Sequence, residues 1–264
     1  GGGGGGVAPL IFKKGDDLRQ DQLCMQMVAL MDRLLKKESL DLRLTAYRVL
    51  ATGSDHGMVE FVPRSSTVND VLQKHKTLMA FFALHNPDPA GPYGIAASAL
   101  ETFTKSCAGF CVITYLLGVG DRHLDNLMVT EDARLIHIDF GFIMGRDPKP
   151  FPPPMKLCKE MVEGMGGTGS EHYARFKTYC CEAYNILRKS TTLILNMFAL
   201  MARASIPDVS GDPEKALLKL ESKFRLDLDD EAAVQHMQAL ITDSASALFQ
   251  QVFEVTHRVA TYLR

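Results

Sequence analysis

No two cysteines in this 264-residue chain are spaced Cys-x-x-Cys, and none stands beside a histidine-rich tract. A zinc site and a disulfide framework are therefore both excluded as organising features. The six thiols, Cys24, Cys107, Cys111, Cys158, Cys180 and Cys181, fit a reducing intracellular setting, and Cys107 and Cys111, four apart in an apolar stretch, are expected to be buried core thiols. An excess of one charge is missing too. The 29 basic and 31 acidic residues give a net charge of −2, which provides no global positive field for nucleic acid, so any anionic ligand must be met locally. No apolar run reaches the roughly 18 to 20 residues that a membrane span needs. The longest uncharged one, residues 107–120, reads as a buried core helix. The chain opens without a basic segment followed by an apolar one, so no signal peptide is expected. Six glycines stand there instead, and a homopolymer reads as a flexible linker segment, not as a phosphate-cradling loop. There is no internal repeat.

What is present is a 46% apolar composition, enough for one or two domains with a sizeable core. Residues 7–13 read as a short strand. Asp16 and Asp17 can cap a following helix, in which Leu23, Met27, Leu30, Met31 and Leu34 recur at helical spacing before Lys36 and Lys37 close it. Leu40, Leu42 and Leu44 alternate with polar residues, and Tyr47 and Val49 continue a strand-like composition. A turn at residues 53–57 and an apolar run at 58–62 ended by Pro63 complete a hairpin. Beyond it the pattern is mostly helix and loop: one helix over 68–84, a proline-rich break at 86–92, and another helix over 96–117. A short hairpin at 127–138 follows, turning at 131–133. Residues 146–154 are irregular because of Pro148, Pro150, Pro152, Pro153 and Pro154. From Glu171 onward the chain is helical again, interrupted at Pro207 and at 211–213.

The chemistry concentrates in two segments, Gly120-Asp121-Arg122-His123-Leu124-Asp125-Asn126 and His137-Ile138-Asp139-Phe140-Gly141. Phosphoryl transfer asks for a divalent cation held against phosphates and a polar group beside the attacking hydroxyl. In protein kinases a catalytic Asp precedes a metal-binding Asn by five residues, and an Asp-Phe-Gly turn follows. Asp121 and Asn126 keep that spacing, and Asp139 heads the turn. Mg²⁺ prefers hard oxygen ligands, so the Asn126 amide oxygen and the Asp139 carboxylate are the candidate metal ligands, with Mn²⁺ as an alternative ion. Asp125 is expected to make a structural turn hydrogen bond. His137, in a strand-like run, is expected to be structural.

Three further segments join these two: Ile11-Phe12-Lys13-Lys14-Gly15-Asp16-Asp17-Leu18-Arg19-Gln20-Asp21, Lys105-Ser106-Cys107-Ala108-Gly109, and residues 145–157 with the core Gly145-Arg146-Asp147-Pro148-Lys149-Pro150. With them the chain resembles the catalytic domain of the phosphatidylinositol 3-kinase family, most closely its class III branch, from about residue 8 to the end. The resemblance implies a two-lobed, protein-kinase-like α/β fold. Residues 1–6 are then a linker, 7–62 part of the small lobe with the hinge, and 63–264 the large lobe with catalytic loop, activation loop and an amphipathic C-terminal helix. The small lobe's phosphate-binding loop is expected outside this chain.

Carried over residue by residue, the resemblance assigns Lys13 to the ATP phosphates and makes Lys14 a bystander. It places Asp21 and Tyr47 in an inner adenine pocket and Glu60, Phe61 and Val62 in the hinge, with the Val62 amide on adenine. Val59, Phe61, Met128 and Ile138 sandwich the base. The tripeptide runs Asp-Arg-His, not His-Arg-Asp, and this inversion marks the lipid kinases and their protein-kinase relatives. It places His123 as well as Asp121 near the hydroxyl. Histidine titrates near neutrality, so His123 is expected as base or proton relay with Asp121 orienting it, or the two roles exchanged.

The cations of the activation segment, Arg146, Lys149 and Lys156, are the expected substrate contacts, or else meet an anionic membrane surface. Extra headgroup phosphates call for clustered cations, and these are sparse, which fits unmodified phosphatidylinositol. At the C-terminus Leu248, Val252, Val255, Val259 and Leu263 form an apolar stripe beside Phe249, Phe253 and Tyr262, with His257, Arg258 and Arg264 adding charge. Such a helix lies on a bilayer or packs on its own domain. The implied reaction is transfer of the ATP γ-phosphate to the 3-hydroxyl of phosphatidylinositol, for endosomal trafficking and autophagy. The implied partners are a protein-kinase-like regulatory scaffold subunit and a Beclin-type subunit, with no nucleic acid, in a cytoplasmic enzyme peripheral on endosomal and autophagic membranes. An atypical Ser/Thr protein kinase and an inactive kinase-like scaffold are the alternatives.

Overall fold

The computed structural model describes residues 9–262 except 151, 203 and 205, and side chains as far as 248. The six leading glycines, Val7 and Ala8 lie outside the described residues, as do the side chains of the C-terminal stripe beyond Leu248. The architecture is mixed α/β, the class expected from sequence.

Strand β1 (Leu10–Lys14) leads into helix α1 (Arg19–Lys37), and β2 (Val49–Ala51) and β3 (His56–Glu60) form the hairpin. These strands make an antiparallel sheet in the order β1-β3-β2, with Ile11 opposite Val59 and Val59 opposite Val49. Since side chains alternate along a strand, Ile11 and Lys13 share a face, and the row Ile11, Val59, Val49 runs across it. Helix α1 starts with Leu18 at its cap; Asp17 helps from one residue earlier by accepting the Arg19 N–H at 3.2 Å.

Two expectations need correction. The leucines at 40, 42 and 44 belong to no strand. They are buried, but the extended segment is spent on packing against α4 (Ala97–Leu116) and has no ladder partner. Gly109 makes this possible: a Cβ there would sit 2.8 Å from Leu44 Cδ2 and 3.2 Å from Leu42 Cβ. Gly109→Val should therefore overpack the crossing and cost about 1 to 3 kcal/mol, read as a lower urea midpoint. The single helix expected over 68–84 is two, α2 (Val68–His75) and α3 (Leu78–His85). Lys76 turns into the left-handed region (φ 70), and Thr67 and Thr77 each cap a helix through their hydroxyls.

Strands β4 (Ser65–Thr67), β5 (Leu127–Thr130) and β6 (Leu135–His137) form a second antiparallel sheet in that order, with Met128 opposite Ile136 and Leu127 opposite His137. Helix α4 lies beneath it, almost entirely buried from Phe103 to Leu116, because its apolar residues cover all sides, as in a core helix. It packs against α6 (Glu171–Lys189), which in turn packs against α9 (Asp230–Tyr262). Between these run α7 (Thr191–Ala202) and α8 (Pro213–Lys223), and a short α5 (Lys159–Gly164), not foreseen from sequence, ends the proline-rich segment. No helix among the described residues is long and apolar enough to cross a membrane.

Candidate active site

The loop between α4 and β5 carries the first motif. Gly118 (φ 58) turns the chain, and at Gly120 a Cβ would meet the Arg146 carbonyl oxygen at 2.0 Å, so only glycine lets the proline-rich segment cross here. Asp121 follows at φ 49 and Asp139 stands at φ 60. Both are in the left-handed region, where a non-glycine residue is uncommon and is held by its surroundings.

Arg122 supplies much of that hold. Its guanidinium donates to the carbonyls of Gly120 (2.9 Å), Ile138 (2.6 Å) and Asp139, and lies over the Phe140 ring at 5.5 Å. One side chain thus staples the catalytic loop to the Asp-Phe-Gly turn. Burial pushes its pKa down, opposed by the nearby carboxylate of Asp139. Asn126 is buried, and its Nδ2 donates to the Asp121 carbonyl at 2.8 Å. That assigns the amide orientation and presents Oδ1 as the acceptor end. The Ile138 N–H donates to the Asn126 carbonyl at 3.1 Å, which closes the hairpin and brings Asn126 and Asp139 to one end of it.

Helix α1 reaches the same turn from the other side. Asp21 Oδ1 accepts the Phe140 N–H at 3.1 Å, and Gln20 Nε2 donates to the Phe140 carbonyl at 2.7 Å. Burial, and secondarily the charge of Asp139, raises the Asp21 pKa to about 6. Because the folded value exceeds the unfolded one near 3.9, the folded state holds its proton more tightly; the contribution is full at low pH and is lost as pH rises through about 6. Asp21→Asn keeps the acceptor but not the charge. Relative to wild type it should gain stability on the order of 3 kcal/mol between pH 4 and pH 7, measured by urea unfolding at each pH, whereas parallel profiles would refute the shift.

A cavity of about 210 Å³ opens between the two sheets. It is lined by Lys13, Asp21, Tyr47, Val59, Glu60, Phe61, Val62, Met128 and Ile138, and by Asn126 and Asp139. Every residue the sequence assigned to nucleotide or metal therefore meets in one place. Ile11, Val49 and Ser65 also line it and were not foreseen. Alternation with Lys13 was the available signal for Ile11, and the register against Val59 was the one for Val49. Lys13 Nζ lies 3.4 Å from Asp16, and the Glu60 carboxylate accepts the Arg48 N–H at 2.8 Å. A hard-oxygen pair, carboxylate and amide oxygen, at the rim of an apolar slot fits a hydrated divalent ion shared with phosphates.

His123 lines a different cavity, of about 330 Å³, together with Lys149, Lys156, Pro152, Pro153 and Leu248 of α9. Its Nε2 is 4.0 Å from Asp121 Oδ2, and the Asp125 N–H donates to its Nδ1 at 3.3 Å. The neutral ring then carries its proton on Nε2, so the open lone pairs of this couple are on the Asp121 carboxylate. Asp125 Oδ1 accepts from Asn69 Nδ2 at 2.9 Å, so its bond reaches across to α2 instead of closing its own turn. His137 is fully buried, stacked on Phe110 at 4.9 Å, and burial holds it neutral.

The three activation-segment cations are not equivalent. Lys156 is partly buried and pairs with Asp147 at 2.8 Å, and Asp147 also accepts the Asp121 N–H at 3.2 Å and the Lys149 N–H at 2.9 Å. Burial opposes its ionisation, yet the hydrogen bonds from Lys156 and Lys149 win and hold its carboxyl below the usual range. Arg146 is absent from the His123 cavity and pairs with Asp208. Lys149 lines that cavity with its side chain exposed.

The apolar slot thus carries Asn126 and Asp139 at one corner and stands beside a second cavity lined by Arg122 and His123. The sequence pattern of the phosphatidylinositol 3- and 4-kinase family matches residues 8–211. The root isoform of phosphatidylinositol 3-kinase from Glycine max is 64% identical over 260 residues, 98% of this chain and 32% of the relative. Phosphatidylinositol 3-kinase VPS34 of Arabidopsis thaliana is 64% identical with the same coverage, and VPS34 of Saccharomyces cerevisiae is 49% identical over 97% of this chain and 29% of the relative. The chain belongs to the phosphatidylinositol 3- and 4-kinase family, with its protein-kinase-like fold, and spans about a third of the length of the curated relatives it matches.

Proposed function

We propose that this chain is the catalytic part of a lipid kinase that transfers the γ-phosphate of ATP to the 3-hydroxyl of phosphatidylinositol. The observation that carries the reading is the convergence of Lys13, Asn126 and Asp139 on one apolar slot, with the loop between Asp121 and Asn126 joining it to the cavity that holds His123 and Lys149. In this reading residues 7–62 are the lower small lobe and hinge, and 63–264 the large lobe.

Adenine packs between Val59, Phe61, Met128 and Ile138 and hydrogen-bonds the Val62 amide, while Asp21 and Tyr47 close the inner end. Lys13 leaves Asp16 for the phosphates; the two are exposed and such a pair is worth little, so the exchange is cheap. Asn126 Oδ1 and the Asp139 carboxylate would hold Mg²⁺, which when bound would offset charge on the phosphates. The inositol 3-hydroxyl sits against the Asp121–His123 pair, whose carboxylate is the accepting end in this geometry. Positioning and electrostatics supply most of the acceleration.

For the headgroup, Lys149 is the one of the three activation-segment cations with no carboxylate partner among the described residues. Lys156 and Arg146 are already matched by Asp147 and Asp208, so among these three no second cation is left for further ring phosphates, which favours unmodified phosphatidylinositol. A peripheral place on endosomal and autophagic membranes, with a protein-kinase-like scaffold subunit and a Beclin-type subunit, rests on the family resemblance. The test is labelled ATP with vesicles of phosphatidylinositol, its phosphorylated derivatives, or a generic peptide, using the full-length protein. Label in phosphatidylinositol above its derivatives is expected; label in peptide alone overturns the reading.

A further inference from the structure

Asp208 stands in the loop between α7 and α8, far in sequence from either motif, and its side chain is only 3% exposed. Its Oδ2 accepts the Ile143 N–H at 3.0 Å and Gln20 Nε2 at 3.2 Å, its Oδ1 accepts from Arg146, and its own N–H donates to Gln20 Oε1 at 3.0 Å. Gln20, 3% exposed, uses the same Nε2 on the Phe140 carbonyl, while its neighbour Asp21 takes the Phe140 N–H. Both peptide planes around Phe140 are therefore fixed from α1, and Asp208 fixes the Gln20 side chain that does half of this.

Burying a carboxylate costs several kcal/mol unless donors surround it. Here three donors from two separate segments do so, Gln20 from α1 and the Ile143 N–H and Arg146 guanidinium from the stretch following Asp139, and charge-assisted bonds are the stronger kind. Closure of a loop alone needs no buried charge. We propose that Asp208 is a positioning residue for the metal turn: through Gln20 and Ile143 it holds the Asp139-Phe140-Gly141 backbone, and through Arg146 it anchors the start of the activation segment to the same point. This rests on the phosphoryl-transfer reading above. A displacement of about 1 Å at a catalytic group can cost roughly a hundredfold in rate, so the clamp acts on Asp139 without touching substrate.

The test is Asp208→Asn in the full-length protein, read by amide hydrogen exchange and by calorimetric ATP binding across a Mg²⁺ titration. Exchange over residues 140–146 should quicken, with α4 unchanged. The Mg²⁺ concentration for half-maximal ATP binding should rise roughly tenfold, as expected for a ligand displaced from its working position. Unchanged exchange at 140–146, equal acceleration in α4, or a wild-type Mg²⁺ dependence each overturns the proposal. If Asp208→Asn does not fold, Gln20→Met cuts the same clamp at similar volume and must show the same local change, and wild-type exchange there overturns it. Failure of the wild-type protein to bind ATP with Mg²⁺ strikes the phosphoryl-transfer reading instead, and the exchange measurement then judges the clamp by itself.

Discussion

Asp139→Asn should lower phosphoryl transfer by roughly a hundredfold or more while leaving the fold intact, the scale set by loss of one preorganised electrostatic contact. Asparagine is the informative replacement. Asp139 sits at φ 60 and accepts the Gly141 N–H at 3.2 Å, and Asn tolerates that backbone and keeps an acceptor. What is removed is the charge that the proposed metal ion and phosphates would meet. Alanine would lose charge, hydrogen bond and backbone tolerance together and could not separate them. Steady-state rates, with the urea midpoint as a control for folding, decide the matter. Near-normal turnover would remove Asp139 from the metal site.

Arg122→Met should unfold more easily by about 3 kcal/mol and also be nearly inactive. Methionine keeps much of the stem volume but withdraws donors from the carbonyls of Gly120, Ile138 and Asp139. Stranding a buried polar group costs about 1 to 3 kcal/mol, and the cation over Phe140 is lost as well. The Asp-Arg-His loop and the Asp-Phe-Gly turn are then no longer tied. Arg122→Lys keeps the charge without the planar fork, so it should fall between the two. A stability equal to wild type in Arg122→Met would show that the staple is dispensable.

Local and periodic features of this chain are readable from its sequence. The uncharged run at 107–120 reads as a buried helix, and α4 holds its residues 107–116, while 117–120 belong to the loop that follows. The spacing of Asn126 and Asp139 implied a hairpin, and β5 and β6 return the two residues to one end. Features that depend on distant partners are not readable. Asp208 is 188 residues from Gln20 and 65 from Ile143, and no periodicity links them. Lys156 reads as a free cation until Asp147 is found folded against it. The break between α2 and α3 was a lesser case, since Thr67 and Thr77 are cap residues that signal two helix starts, and the apolar pattern running through them hid it. Leu40, Leu42 and Leu44 show the limit of alternation: it marks an extended segment with one buried side, and a second strand must be present to make it a sheet.

The position of the transferred phosphate tests the central claim most directly. Phosphatidylinositol labelled by the full-length protein from ATP should, after deacylation, co-migrate with the 3-phosphate standard, and the label should fall to background when Asp139→Asn replaces the wild type. A 4-phosphate product, or 3-phosphate formed undiminished by the variant, would contradict the account.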